Sequence, residues 1–231
     1  MRINKVYNID CLELFRIMKK NKVLVDAIIT DPPYNISKEN NFRTLGRAGI
    51  DFGDWDKSFN QKQWIRSSFK LLKPGGSIIV FNDWKNLGEI SLTMKKLGYE
   101  IKDVIRWIKP NPMPRNTERR YVTDYEFAIW AVKPGQKWTF NKNESLPYLT
   151  PEYKFAPELG SNKRIHPTQK SLKLMIDIFK THTNEGDIIL DPFMGSGTSA
   201  VAALKIKRNF IGSEIDPNYF KKLNERLKKY E

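Results

Sequence analysis

The sequence predicts an α/β fold built on an open parallel sheet, and three observations carry that prediction. Short apolar runs at 25–29, 77–81 and 187–190 are interspersed with segments whose apolar residues recur every three or four positions. Two of the runs end on a carboxylate followed by proline, in Asp31-Pro32-Pro33-Tyr34 and Asp191-Pro192-Phe193. Proline has a fixed φ and no N–H for a ladder, so each strand must stop there. The second stop leads into Gly195-Ser196-Gly197-Thr198 and a small-residue helix. That strand, turn and helix order belongs to sheets that hold ligands beyond the carboxyl ends of their strands.

The chain has 231 residues, enough for one α/β domain or at most two small ones. Its 40% hydrophobic and 12% aromatic content argues for a packed core rather than disorder. No apolar run approaches the roughly 18 to 20 residues of a membrane span, and the Met1-Arg-Ile-Asn start lacks a signal-peptide core, so a soluble cytoplasmic protein is expected. The single Cys11 excludes an internal disulfide and leaves no cysteine cluster for zinc. His166 and His182 are too few for a metal site, and none is expected. A formal charge of +14 and a pI near 9.7 are the footprint of a polyanion binder. Lysines solvating helix faces, such as Lys221, Lys222, Lys228 and Lys229, offer a blander account of the same charge.

Taken in order, residues 5–8 predict a short strand, and Leu12, Phe15 and Met18 mark the helix that follows Asp10. Asp10 is either the N-cap of that helix or a ligand contact. Val25–Ile29 is a buried strand running into Asp31. Residues 36–60 show no periodicity, are longer than ordinary loops, and are expected to form a mobile loop. Arg43, Arg47 and Lys57 would meet phosphates if it closes over a substrate; plain surface disorder is the other reading. Residues 61–72 carry Trp64, Ile65, Phe69 and Leu72 at helical spacing, and Lys73-Pro-Gly-Gly76 ends that helix in a turn. Ser77–Phe81 is the next strand, with Asn82, Asp83 and Trp84 at its carboxyl end, and residues 87–97 form a helix stopped by Gly98.

Residues 100–109 and 125–133 are rich in aromatic and β-branched side chains and predict two strands. The segment between them is too short for a crossover helix, so the pair is antiparallel, joined by a proline-stiffened loop bearing Arg115, Arg119 and Arg120. Such a loop suits a phosphate backbone. Residues 134–165 are irregular, with aromatics interleaved with lysines. They fit a variable target-recognition segment in contact with nucleic acid, or a loop packed on its own aromatics.

His166-Pro-Thr168-Gln-Lys170 introduces a helix with Leu172, Met175, Ile176 and Phe179 on one face, followed by the strand Asp187–Leu190. The turn after Asp191 lets the backbone approach a ligand, and the helix start offers free N–H groups to an anion; a turn used only for tight packing is the alternative. Residues 209–214 then make a strand ending in Glu214, 19 residues after Gly195, near the spacing at which a nucleoside-binding unit presents a carboxylate to ribose. The glycine loop lacks a lysine, which argues against an ATP-binding P-loop. At the other strand end, an exocyclic amine needs two acceptors for its two N–H groups. The Asp31 carboxylate and Pro32 carbonyl supply them while Tyr34 stacks on the ring, although an Asp-Pro turn has the same sequence.

Together, Asp31-Pro32-Pro33-Tyr34, His166-Pro-Thr168-Gln-Lys170 and Asp191-Pro-Phe193-Met-Gly195-Ser196-Gly197-Thr198, in that order, resemble the β-class DNA amino-methyltransferases. The chain is most similar to the small N6-adenine enzymes of bacterial restriction-modification systems, over nearly its whole length. The resemblance implies a single domain, 1–231, with a Rossmann-like seven-stranded, mostly parallel sheet in the family's permuted order and an antiparallel pair at one end. It implies S-adenosylmethionine as cofactor, with Asp191, Phe193, Gly195, Ser196, Gly197 and Thr198 around its methionine moiety. Glu214 would then hold the ribose, Asp10 and Cys11 would lie near the adenine, and His166, Thr168, Lys170 and Asp31 would complete the pocket. Asp31, Pro32, Pro33 and Tyr34 become the catalytic set, acting on a flipped-out base in double-stranded DNA by direct methyl transfer. The family often forms dimers and is often paired with a restriction endonuclease. Asp at position 31 favours adenine N6. Cytosine N4, RNA, a protein amide, or a non-catalytic nucleic-acid-binding role are the alternatives.

Overall fold

The structure, a computed structural model, describes residues 1–35, 59–112, 117–119, 121–158, 165–166 and 168–230. Among the described residues, eight strands form one mixed sheet. In chain order they are β1 (Lys5–Tyr7), β2 (Val25–Thr30), β3 (Leu72–Asn82), β4 (Glu100–Ile108), β5 (Tyr125–Val132), β6 (Glu152–Lys154), β7 (Ile188–Asp191) and β8 (Asn209–Ser213). The helices are α1 (Cys11–Lys20), α2 (Gln61–Ser68), α3 (Leu87–Lys96), α4 (Leu172–His182), α5 (Thr198–Lys205) and α6 (Pro217–Leu227).

The spatial order is β1-β8-β7-β2-β3-β5-β4-β6. Only β5 opposes its neighbours, and the remaining pairings are parallel. From β2 the chain proceeds outward through β3 to β5 and β4, whereas from β7 it proceeds the other way to β8. The boundary between β2 and β7 is therefore the topological switch point, where open α/β sheets leave a crevice at their carboxyl ends. Asp31 follows β2 and Asp191 ends β7, so both acids stand at that crevice.

Alternation along each strand divides the core. Ala27, Ile29, Ile79 and Phe81 pack with α4, α5 and α6 on one face, while Ile28, Ile78 and Val80 pack with α1, α2 and α3 on the other. Small residues Ala200, Val201, Ala202 and Ala203 let α5 lie close against the sheet, and all four are buried. Capping sets the helix entries: Asp10 accepts from Leu12 N at 2.8 Å, and Asp216 accepts from Asn218 N at 2.7 Å with Pro217 opening α6.

Three sequence expectations are amended. Among the described residues the sheet has eight strands where seven were expected, because Glu152–Lys154 adds in parallel to β4, with Trp107 opposite Tyr153. Three residues are too few for a period to show. The Lys73–Gly76 stretch is not a turn preceding β3 but an irregularity inside it. Val25 pairs with Leu72 while Ala27 pairs with Ser77, so the extra residues bulge out around Gly75 at φ +77°. Helix α2 ends at Ser68 and closes through a single 3-10 turn, Phe69–Leu71. The expected mobile loop falls outside the described residues from 36 to 58. At its edges, Asn35 and Phe59 are tied by two bonds, Nδ2 to the Phe59 carbonyl at 2.8 Å and Phe59 N to Oδ1 at 2.7 Å.

Candidate active site

Asp31 emerges from β2 into a buried knot of charge. Its Oδ2 lies 2.6 Å from the Lys170 ammonium, and its Oδ1 accepts the Tyr34 hydroxyl at 2.5 Å. Lys170 also donates to Tyr34 Oη at 3.2 Å and stands 2.9 Å from Glu126 Oε2. Glu126 in turn pairs with Lys109. Burial pushes the Asp31 carboxyl up, more than the Lys170 ammonium pulls it down. For Glu126 burial also acts upward, but Lys170 and Lys109 outweigh it and hold the group at about 2. Burial alone would lower Lys170; the two carboxylates raise it instead, so it remains an ammonium.

The rigid backbone around Asp31 is held from outside. Gln61 on α2 donates to the Pro33 carbonyl, and Asn86 donates to the Tyr34 carbonyl at 2.8 Å and to Asn82 Oδ1 at 2.7 Å. Pro32 is buried, while Pro33 and Tyr34 are half-buried. Asn82 is buried and its Nδ2 has no protein partner among the described residues, a spare donor beside the Asp31 loop.

The glycine turn lies across the switch point. Asp191 Oδ1 accepts Thr30 Oγ1 at 2.6 Å and Phe193 N at 3.1 Å, and burial pushes its carboxyl up to about 6. Gly195 and Gly197 sit at φ +51° and +75°, a region open to glycine and strained for other side chains. They carry the chain into α5. Gly195 N donates to Glu214 Oε2 at 2.7 Å and Asp216 N to Oε1 at 2.9 Å, so two backbone segments, the turn after β7 and the stretch after β8, orient the carboxylate. Each oxygen keeps a lone pair beyond the bond it has accepted. The Ser196 and Thr198 hydroxyls are 2.9 Å apart, and Arg226 of α6 donates to Ser196 O at 3.0 Å and to Thr198 Oγ1 at 3.1 Å.

The His166 ring stacks edgewise on Tyr219 at 4.3 Å, and a side chain on Gly195 would meet it at 3.6 Å. Burial holds the ring at about 4, neutral at ordinary pH, with Thr168 Oγ1 3.0 Å from its Nδ1. Phe193 is wedged between Phe59 and Trp64 at 5.2 and 5.4 Å. Asp10 caps α1, the N-cap half of its two readings, and Cys11 beneath it is buried, with its thiol pushed up to about 12. Both follow β1, beside the Glu214 strand, on the same rim.

The two motif acids, Asp31 and Asp191, stand at the strand ends on either side of the β2–β7 switch point. Lys170, expected to complete the cofactor pocket with His166, Thr168 and Asp31, donates to Asp31 and Tyr34 and lies 2.9 Å from Glu126. Glu126 and Lys109 were not singled out from the sequence. The available signal was a lone acid in the otherwise apolar strand Tyr125-Glu-Phe-Ala-Ile-Trp-Ala-Val. Arg43, Arg47, Lys57, Arg115 and Arg120 lie outside the described residues, and Arg119 is exposed. Within 134–165, Tyr153 and Phe155 pack against the core, whereas Phe140 is exposed. Phe140 stacks on Trp130 at 5.4 Å, Lys102 sits 3.6 Å over Trp138, and Trp107 Nε1 donates to the Phe155 carbonyl at 2.8 Å. Tyr148 is exposed.

Comparison with known proteins fits this geometry. Residues 25–225 match the family model described as DNA methylase. The chain is 33% identical over 233 residues to the type II methyltransferase M2.DpnII of Streptococcus pneumoniae, covering 93% of this chain and 87% of that protein. It is 30% identical to M2.MboI of Moraxella bovis, covering 90% and 82%. Among solved structures, the complex of M1.HpyAVI with SAM superposes with a TM-score of 0.80 at 42% identity, covering 96% of this chain and 99% of that one. The PvuII cytosine-N4-specific DNA methyltransferase shares the fold at TM-score 0.72 and 17% identity, covering 96% and 86%. A matched span that starts in the strand before Asp31 and runs past Glu214 encloses both halves of the crevice, and the chain accordingly belongs to the DNA methylase family.

Proposed function

We propose that this enzyme transfers a methyl group from S-adenosylmethionine to the N6 amine of adenine in double-stranded DNA, after flipping the base from the helix. The observation that carries the reading is the meeting of Asp31, Tyr34 and the Gly195 turn at one strand-end crevice, coupled through the Thr30–Asp191 bond. The family match supports DNA as substrate, and the relative solved with SAM supports the cofactor. The chain's own residues fit that cofactor: a buried acid for an ammonium, a glycine cradle before a helix start for a carboxylate, and Glu214 with spare lone pairs for ribose hydroxyls. When bound, it supplies an electrophilic methyl on a sulfonium sulfur.

In this reading Tyr34 stacks on the flipped adenine, while the Asp31 carboxylate and the Pro32 carbonyl accept its two N–H groups. An aromatic amine is a poor nucleophile because its lone pair is delocalised into the ring. Acceptors on both N–H groups favour a pyramidal nitrogen and aim that lone pair toward the Gly195 side of the crevice. Pro33 and Gln61 hold the loop rigid during this step. Asp191, Phe193, Gly195, Ser196, Gly197, Thr198, Glu214, His166 and Thr168 form the cofactor half, with Asp10 and Cys11 at its adenine end. Asp31 and Lys170, joined at 2.6 Å, complete the cofactor pocket where the two halves meet.

Residues 1–231 form one methyltransferase domain in which 134–165 contributes target recognition and Arg119, with Arg43, Arg47, Arg115 and Arg120, meets the DNA backbone. A homodimer and a cognate restriction endonuclease complete the proposed setting. Among the described residues no helix is long and apolar enough to cross a membrane. The test is methyl-labelled cofactor offered with DNA, RNA and protein in parallel, followed by nucleoside analysis. Label in N6-methyladenine is expected; label only in N4-methylcytosine, RNA or protein would overturn the assignment.

A further inference from the structure

The charge knot beside Asp31 contains more than the methyl-transfer reading uses. Lys170 and Asp31 alone would make a neutral pair, yet β5 adds a second carboxylate, Glu126, 2.9 Å from the same ammonium. The Lys170 side chain is 7% exposed, so its charge is shared almost wholly among protein groups. Burying an additional carboxylate is costly unless it is paired, and Lys109, just after β4, supplies the fourth member by donating to the other Glu126 oxygen, Oε1. Each partner comes from a different element: Asp31 follows β2, Lys170 precedes α4, Glu126 lies on β5 and Lys109 follows β4. The Lys170 ammonium donates to Asp31 Oδ2 and Tyr34 Oη and lies 2.9 Å from Glu126 Oε2, a buried oxygen that accepts no hydrogen bond among the described residues, so Glu126 is held there by charge.

We propose that Glu126 is a positioning residue for methyl transfer. By sharing the Lys170 ammonium with Asp31, it fixes the plane of the Asp31 carboxylate and leaves those oxygens strong enough acceptors for the N–H of the target amine. The inference rests on the reading that Asp31 receives that amine. Without Glu126, Lys170 would turn wholly to Asp31 and neutralise it. With Glu126 in place the ammonium is divided, and Lys109 limits how far Glu126 can draw it away. The groups facing Asp31 are Lys170, Tyr34, Glu126 and, across the switch point, Asp191. Asp83 acts on Tyr34 and His166 feels Lys170. Glu126 is one of the influences that raise Asp31, after burial and against Lys170.

The test is the pH profile of single-turnover methylation of a DNA duplex by the full chain with S-adenosylmethionine, for wild type, Glu126→Gln, Lys109→Met and Asp31→Asn. Glu126→Gln should lower the rate by about 10- to 100-fold and move the acid limb down by about one pH unit, with cofactor Kd unchanged. Lys109→Met should move the acid limb up, because Glu126 then draws Lys170 away from Asp31. A packing role has no reason to move the limb in opposite directions. Acid limbs that coincide with wild type in both folded variants, or a change confined to cofactor Kd, would overturn the proposal. If Glu126→Gln does not fold, the direction of the Lys109→Met shift decides. Full activity of Asp31→Asn would instead remove the reading of Asp31 on which the proposal rests.

Discussion

Thr30 Oγ1 donates to Asp191 Oδ1 at 2.6 Å, a fully buried side-chain bond between residues 161 positions apart in the chain. Ala27 and Ile28 pair with Ile189 and Leu190, so the bond closes the ladder of β2 and β7 at its carboxyl end. It ties the strand that delivers Asp31 to the strand that delivers the glycine turn. The distance between the two halves of the site is thus set by sheet geometry and one hydroxyl.

Thr30→Val keeps the side-chain shape and removes the donor. A buried acceptor left short of a partner costs about 1–3 kcal/mol, and urea denaturation should show a loss in that range. Cofactor affinity should fall as well, because Asp191 loses one of the bonds that hold its carboxylate. Calorimetric titration with S-adenosylmethionine measures this, and a variant equal to wild type in both would show that the bond couples nothing.

Asp31→Ala and Tyr34→Ala remove acceptor and stacking platform without touching the Gly195 turn. Both should retain cofactor binding within a few-fold and lose methyl transfer by at least about 10²-fold, the scale of one preorganised electrostatic group. Filter binding of labelled cofactor and single-turnover assays separate the two quantities. Turnover that survives in either variant would remove that residue from the chemistry.

Asp191 gives the site a pH signature. Burial, opposed by bonds from Ser199, Thr30 and the Phe193 amide, leaves its carboxyl at about 6. A folded value above the unfolded one means that its contribution to stability is complete below about pH 4. That contribution is lost as pH rises through about 6. Asp191→Asn keeps an acceptor for Thr30 and cannot ionise. Between pH 4 and 7 the variant should therefore lose less stability than wild type, by on the order of 2–3 kcal/mol. Parallel slopes in denaturation curves across that interval would contradict the assignment.

Much of this site was legible in the sequence because its parts are local. Asp31-Pro32-Pro33-Tyr34 and Gly195-Ser196-Gly197-Thr198 each announce a strand end and a change of backbone regime within a few residues, and the structure brings both to one rim. What escaped was long-range. Glu126 reads as one polar residue in a β-strand until the sheet sets it beside Lys170, and β6 is too short to carry a period. The segment 134–165 was ambiguous for a related reason. Aromatics mixed with lysines suit a nucleic-acid surface, yet Tyr153 and Phe155 pack against the core while Phe140 and Tyr148 stay exposed. Composition does not say which way a ring faces.

Glu214 separates a binding role from a structural one. It is buried, directly follows β8, and accepts backbone N–H groups from Gly195 and Asp216, one on each oxygen. Ribose hydroxyls need the remaining lone pairs, so the same carboxylate shapes the turn and binds the ligand. Glu214→Ala frees two N–H groups and should lower both folding stability and cofactor affinity. Glu214→Gln keeps an acceptor on one oxygen and sets an amide donor against the other N–H. Its stability should lie between those of wild type and Ala, while its affinity falls about as far as that of Ala, because a charged acceptor for two hydroxyls is gone. Cofactor titration set beside urea denaturation for the three proteins resolves the two effects. If affinity simply follows stability across the series, Glu214 shapes the Gly195 turn and does not touch the ribose.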